Sequence, residues 1–169
     1  VSLLSKTIQN KIEQQTKAEK KNKSNLQKSI NHGKEIFKNI CATCHGINGG
    51  GIDGLAPPLQ KSEYISESTE RLALVLLHGL SGPIHVNGKL YNLSATMPGL
   101  NNNPDYTDEE ILNLINYLQS EFSKNHKNIK TSIIKSLRKE KPKSGVYTEE
   151  ELLLIKWLFP SRKQKRVTF

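Results

Sequence analysis

The pentapeptide Cys41-Ala42-Thr43-Cys44-His45 constrains this chain more than any other stretch. Two cysteines stand three positions apart, and a histidine follows the second directly. One helical turn between Cys41 and Cys44 puts both sulfurs on one side of the backbone. Such a pair can serve as a redox dithiol, as half of a zinc site, or as the attachment point of a c-type haem. A zinc site needs a second ligand pair at suitable spacing, and His78 and His85 are poor candidates for one. A thioredoxin-type dithiol needs a βαβ context, which this sequence lacks. The chain has only two cysteines, both in this pentapeptide, so no disulfide competes for them. The motif therefore points to one haem c, joined as thioethers through Cys41 and Cys44, with the His45 imidazole on the proximal face of the iron.

Composition supports a small core and long flanks. The chain has 169 residues with 35% hydrophobic and 6% aromatic content, thin for one core spanning every residue. A haem would supply additional apolar surface to pack around. Charge divides the chain into three parts. Residues 1–29 hold seven Lys and two Glu, net +5; residues 30–122 hold five Lys or Arg and ten Asp or Glu, net −5. Residues 123–169 hold thirteen Lys or Arg and four Glu, net +9. An acidic module thus lies between two basic flanks, expected to be solvated charged segments rather than a nucleic-acid surface. No apolar run approaches the ~18 residues of a membrane span. The sequence starts at Val1, which suggests a mature or trimmed product whose export signal has been removed.

Leu4, Ile8 and Ile12 recur at i, i+4 spacing, but Lys17 to Lys28 is almost devoid of apolar residues. Residues 1–29 are therefore read as a polar helix or a linker. Ser29 or Asn31 is expected to cap a short helix in which Gly33, Phe37 and Cys41 share one face. A glycine-rich loop follows His45. Ser68 or Thr69 caps an apolar helix that stops at Gly79, and Asn87-Gly88 marks a tight hairpin. Thr107-Asp108-Glu109-Glu110 is a capping box opening a helix through Ile111, Leu114, Ile115 and Leu118. Ser132 to Arg138 predicts a short helix. A second capping box, Thr148 to Glu151, opens a helix expected at about 148–159 that carries Trp157.

Residues from about 30 to 122 resemble the class I, mitochondrial-type cytochrome c family. In that family the first helix carries Gly, an aromatic four residues on, and the first haem cysteine four further. Gly33, Phe37 and Cys41 fit. The last helix of the family crosses the first with a Leu and an aromatic three apart, and Leu114 and Tyr117 fit. The resemblance implies an all-α class I cytochrome c fold, three to five helices around one covalent haem, with helical N- and C-terminal extensions at 1–29 and 123–169. It implies that the Pro57 carbonyl accepts the free N–H of His45, although Ala56 stands where the family usually has Gly. It implies further that Leu59 packs on the haem and that Met97, followed by Pro98, is the distal ligand. His78 and His85 are the rivals for that position.

More narrowly, the run His78 to Ile84, the Val86 to Lys89 turn and Met97-Pro98 are similar to cytochrome domains of large bacterial periplasmic dehydrogenases. The expected function is an exported carrier of single electrons between redox partner proteins, a dehydrogenase, oxidase or reductase. The alternative is an electron-accepting module of a dehydrogenase complex, its tails docking a partner or an anionic surface. A haem enzyme or sensor with an open iron site is the remaining alternative, and it requires that Met97 not bind.

Overall fold

In the computed structural model, residues 3–92 and 95–155 are described, with side chains from residue 6 onward. Helix α1 runs unbroken from Leu3 to Ile36. Its Lys, Gln and Glu residues are good helix formers, and neither Gly nor Pro occurs in it before Gly33. At 1.5 Å per residue it spans about 51 Å, and every side chain from residue 6 to residue 25 is exposed. The expected capped start at Ser29 or Asn31 is therefore corrected. Nothing in Lys17–Lys28 breaks the helix, so no cap is needed. The Ser29 hydroxyl instead donates to Asn113 Oδ1 at 2.5 Å and accepts from Asn116 Nδ2 at 2.8 Å.

The helix then widens into one π-helical turn, Phe37–Cys41, where the Ala42 N–H reaches back five residues to the Phe37 carbonyl. Such turns recur at functional sites in helices. Helix α2, Ala42–His45, completes the motif. Two short capped helices follow. Helix α3, Glu63–Ser66, starts at Ser62, and α4, Thr69–His78, starts at Ser68, whose hydroxyl accepts from the Arg71 N–H at 3.1 Å. The apolar content of α4 is fully used, since Leu72 to Leu77 are all buried.

The stretch after α4 is more ordered than its Gly, Pro and Asn content suggests. Strand β1, Gly79–Leu80, is followed by the hairpin of β2, Ile84–Val86, and β3, Lys89–Tyr91. Asn87 and Gly88 turn it with φ of +55° and +72°, the left-handed pair that a two-residue hairpin requires. Strand β4, Met97–Pro98, pairs antiparallel with β1, setting Met97 opposite Leu80.

Helix α5, Asp108–Phe122, begins at Thr107, whose hydroxyl accepts from the Glu110 N–H at 3.3 Å. Only this half of the expected capping box forms, because the Glu110 carboxylate instead meets His32 Nε2 at 2.6 Å. Helix α6, Thr131–Leu137, and α7, Glu149–Leu154, complete the described elements. The Thr148–Glu151 capping box is made in full. Residues 156–159 of the helix expected to 159, with Trp157, lie outside the described residues.

The α1–α5 crossing organises the core. A Cβ on Gly33 would lie 1.9 Å from the Asn113 carbonyl oxygen, so the two backbones approach as closely as only glycine permits. The Phe37 ring meets Tyr117 at 5.3 Å and Phe122 at 5.6 Å, tilted against both, and Leu114 is fully buried in the same core. Ile129, Ile134, Leu137, Tyr147 and Leu152 belong to the same core. Each large apolar side chain so buried contributes roughly 1.5–3 kcal/mol. The chain after residue 122 is thus packed onto the body at these five positions.

Candidate haem site

A deep apolar cleft opens between the Cys41–His45 segment and the strand bearing Met97. Counted out to its open mouth, with the solvent-open space included, it encloses about 1370 Å³. Cys41, Cys44, His45, Pro57, Leu59 and Met97 are all among its lining residues. All six site residues expected from sequence therefore line one cavity. The rest of the wall is mostly aliphatic: Ile65, Leu72, Val75, Leu76, Leu80, Ile84, Val86, Leu100 and Leu118.

The loop after the motif sets the orientation of His45. The Gly51 N–H donates to the His45 carbonyl at 2.9 Å, and Ile52 pairs with Ala56 through two 3.0 Å hydrogen bonds. This folds Pro57 back over the histidine, where His45 Nδ1 donates to the Pro57 carbonyl at 3.0 Å. Ala56, where Gly is usual, fits without displacing that carbonyl. Burial holds His45 below the ordinary imidazole range, partly offset by the Pro57 hydrogen bond. The neutral ring, tied at Nδ1, leaves Nε2 as a free lone pair, the state that binds iron. Burial, together with the neighbouring Cys44, pushes the Cys41 thiol up to about 12. It is a neutral thiol at physiological pH, poorly suited to thiol exchange. Cys44 is exposed at the mouth.

Met97 is half-buried, and its strand is stitched to the end of α4. Leu100 and Asn101 N–H groups donate to the Leu76 and Leu77 carbonyls at 2.9 and 2.8 Å. They satisfy carbonyls that a helix end leaves without partners. The rival histidines are engaged elsewhere. His78 is buried and donates through Nε2 to the Leu137 carbonyl at 2.8 Å. His85 Nδ1 meets Glu149 Oε2 at 2.8 Å on the surface. Among the described residues no three His, Cys, Asp or Glu side chains cluster as a metal site, so the zinc alternative finds no second ligand pair.

A profile described as "Cytochrome c" matches residues 30–121, more than half of the chain. The chain belongs to the cytochrome c family. It is 40% identical over 82 residues to cytochrome c-552 of Thermus thermophilus. It is 40% identical over the same length to the cytochrome c-552 of a second strain of that species. Each alignment covers 46% of this chain, and 59% and 52% of the two relatives, so the match spans little more than half of their length. Membership of the family implies a covalently bound haem c. The cavity of this cytochrome fits that group: an apolar cleft lined by two thiols, one of them exposed, by a histidine ring and by a thioether.

Several cleft residues carry no sequence signal. Tyr64 lines the cleft while its hydroxyl donates to Glu149 Oε1 at 2.9 Å. The Arg71 guanidinium sits 4.8 Å over its ring and donates to the Glu63 carbonyl at 2.9 Å. Leu80, Ile84 and Val86 reach the cleft only through the strand pairings. Gly79 and Gly99, bracketing the Met97 pairing, are the signal that could have found them. Among the described residues, no helix is long and apolar enough to cross a membrane.

Proposed function

We propose that this chain is a monohaem c-type cytochrome that carries single electrons between redox partner proteins outside the cytoplasm. In this reading Cys41 and Cys44 would tether the haem, His45 and Met97 would bind its iron, and Leu59 would pack on the macrocycle. The observation that carries it is the convergence of His45, already oriented by Pro57, and Met97, already fixed on β4, upon one apolar cleft. A haem held this way supplies reversible uptake and release of one electron at its iron. The chain tunes and presents that group. A thioether ligand and an apolar cleft favour the reduced, less charged state and so raise the potential. With His45 and Met97 both bound to the iron, no position on it would be left for a substrate, as suits a carrier.

The mouth of the cleft supports docking there. Cys44 and Leu55 line the cleft and are exposed, an apolar edge suited to brief encounters. The acidic balance of residues 30–122 would make such encounters salt-sensitive.

A second reading, a module of a dehydrogenase complex, is favoured by Leu153 and Leu154, exposed by 56% and 67% beside the buried Leu152. The ferric spectrum of the matured protein tests the main reading. A Soret peak and the weak near-infrared sulfur-to-iron band are expected. Cyanide should bind slowly, because it must displace Met97. Absence of the Soret peak removes the cofactor, and absence of the near-infrared band with immediate cyanide binding establishes an open iron site instead.

A further inference from the structure

The strand carrying Met97 is held from two directions, and one of them lies outside the family match. On its inner side β4 pairs with Leu80. The other edge of Leu80 is bridged in parallel by Tyr147, whose N–H donates to the Gly79 carbonyl at 3.3 Å and whose carbonyl accepts from Ser81 at 2.8 Å. Tyr147 is buried, its ring edge-on to His78 at 5.7 Å. His78 is in turn tied to the Leu137 carbonyl. The loop that follows β4 is gripped by a single guanidinium. Arg138 donates through Nε to Asp108 Oδ1 at 2.7 Å and through Nη2 to the Tyr106 carbonyl at 2.8 Å. Its Nη1 reaches Asn101 at the carbonyl and at Oδ1, 3.4 and 3.3 Å away. Arg138 thus joins α6 to both ends of the segment between β4 and α5. A planar five-donor fork can do this where an ammonium cannot.

We propose that Arg138 is a positioning residue for the distal ligand: from the C-terminal extension, it clamps the Asn101–Asp108 segment and so keeps Met97 in the cleft. This rests on the reading of Met97 as an iron ligand. Without the guanidinium, the Asn101 and Tyr106 carbonyls lose a charged partner. The segment next to β4 can then leave the α4 end more often. The ligand-off state grows, and an external ligand gains apparent affinity in proportion to that population.

The test is imidazole titration of the ferric holoprotein, with the near-infrared sulfur-to-iron band recorded alongside. Arg138→Ala should raise the apparent imidazole affinity about tenfold and weaken the band. Arg138→Lys, which retains the cation but not the fork, should fall between Arg138→Ala and wild type, and carries the test if the alanine variant is not recovered with haem. Ser29→Ala, which removes hydrogen bonds at the α1–α5 crossing, controls for general loosening and should leave imidazole affinity within about twofold of wild type. Unchanged affinity in both Arg138 variants, or an equal rise in Ser29→Ala, overturns the proposal. Failure of the ligand reading itself is read separately: the wild-type protein would then lack the band, and Met97→Ala would leave the spectrum unchanged.

Discussion

Gly79 stands so close to Met97 that a Cβ on the glycine would lie 2.4 Å from the methionine carbonyl oxygen. The same glycine has φ +83°, where an L side chain is strained. Two independent constraints therefore require glycine at the residue that ends α4 and opens β1. Gly79→Ala is expected to destabilise the fold by about 2 kcal/mol or more, combining backbone strain with displacement of β4. Because the displaced strand bears Met97, the sulfur-to-iron band that the proposed ligation implies should weaken at temperatures where the protein is still folded. Thermal unfolding followed by far-UV circular dichroism and by that band, on one sample, checks both parts.

Gly33 offers the corresponding case at the helix crossing. Its missing Cβ would fall 1.9 Å from backbone oxygen of Asn113 and 2.8 Å from the Tyr117 Cβ. Gly33 lies in helical backbone, so strain plays no part and the cost is purely steric. Gly33→Ala should destabilise by roughly 3 kcal/mol, at the upper end of overpacking effects. Gly33→Val should prevent recovery of folded holoprotein. Denaturant melts of the alanine variant give the first figure, and yield of haem-loaded protein gives the second.

The helices of this cytochrome are legible in the sequence because local chemistry marks where each begins. Ser68, Thr107 and Thr148 are side-chain caps, and each accepts an N–H of the helix it precedes. The cleft is legible where a residue type has few other uses, as at Cys41, Cys44 and His45. What stays hidden is long-range. Nothing local in Ser29 distinguishes a cap from a half-buried hydroxyl meeting Asn113 and Asn116, 84 and 87 positions away. The Thr107 box is only half made for the same reason, since His32 competes for Glu110 from another helix. The Leu80–Met97 pairing and the Arg138 clamp join segments whose own sequences show only turns and charge.

If Met97 is the distal ligand, its removal has a directional consequence. Met97→Ala should abolish the near-infrared band and lower the reduction potential, because water or imidazole favours ferric iron more than a thioether does. Carbon monoxide should then bind the reduced protein readily, where the parent resists it. Redox titration and a carbon monoxide difference spectrum check the two effects separately. A variant with an unshifted potential would place the sulfur off the iron.

Glu149 gives the fold a pH dependence of predictable sign. Burial alone would raise its carboxyl, but hydrogen bonds from the His85 ring and backbone and from Tyr64 outweigh this and hold it below the ordinary carboxylate range. Oε1 accepts from the His85 N–H and the Tyr64 hydroxyl, both at 2.9 Å, and Oε2 from His85 Nδ1 at 2.8 Å. A depressed folded-state value means the unfolded chain binds the proton more readily. The stabilisation is therefore present above the ordinary carboxylate range and is lost as pH falls through the lowered value. Glu149→Gln keeps the shape and removes the charge. It should cost about 1 kcal/mol at neutral pH, the scale of a partly exposed charged hydrogen bond. The gap between variant and parent should close as the solution is acidified, because the parent carboxyl becomes a neutral acid too. Denaturant midpoints at a series of pH values trace that convergence. A gap of constant size from neutral to acid would mean that Glu149 acts here through shape alone, with its charge contributing nothing to the hold of α7 on the hairpin.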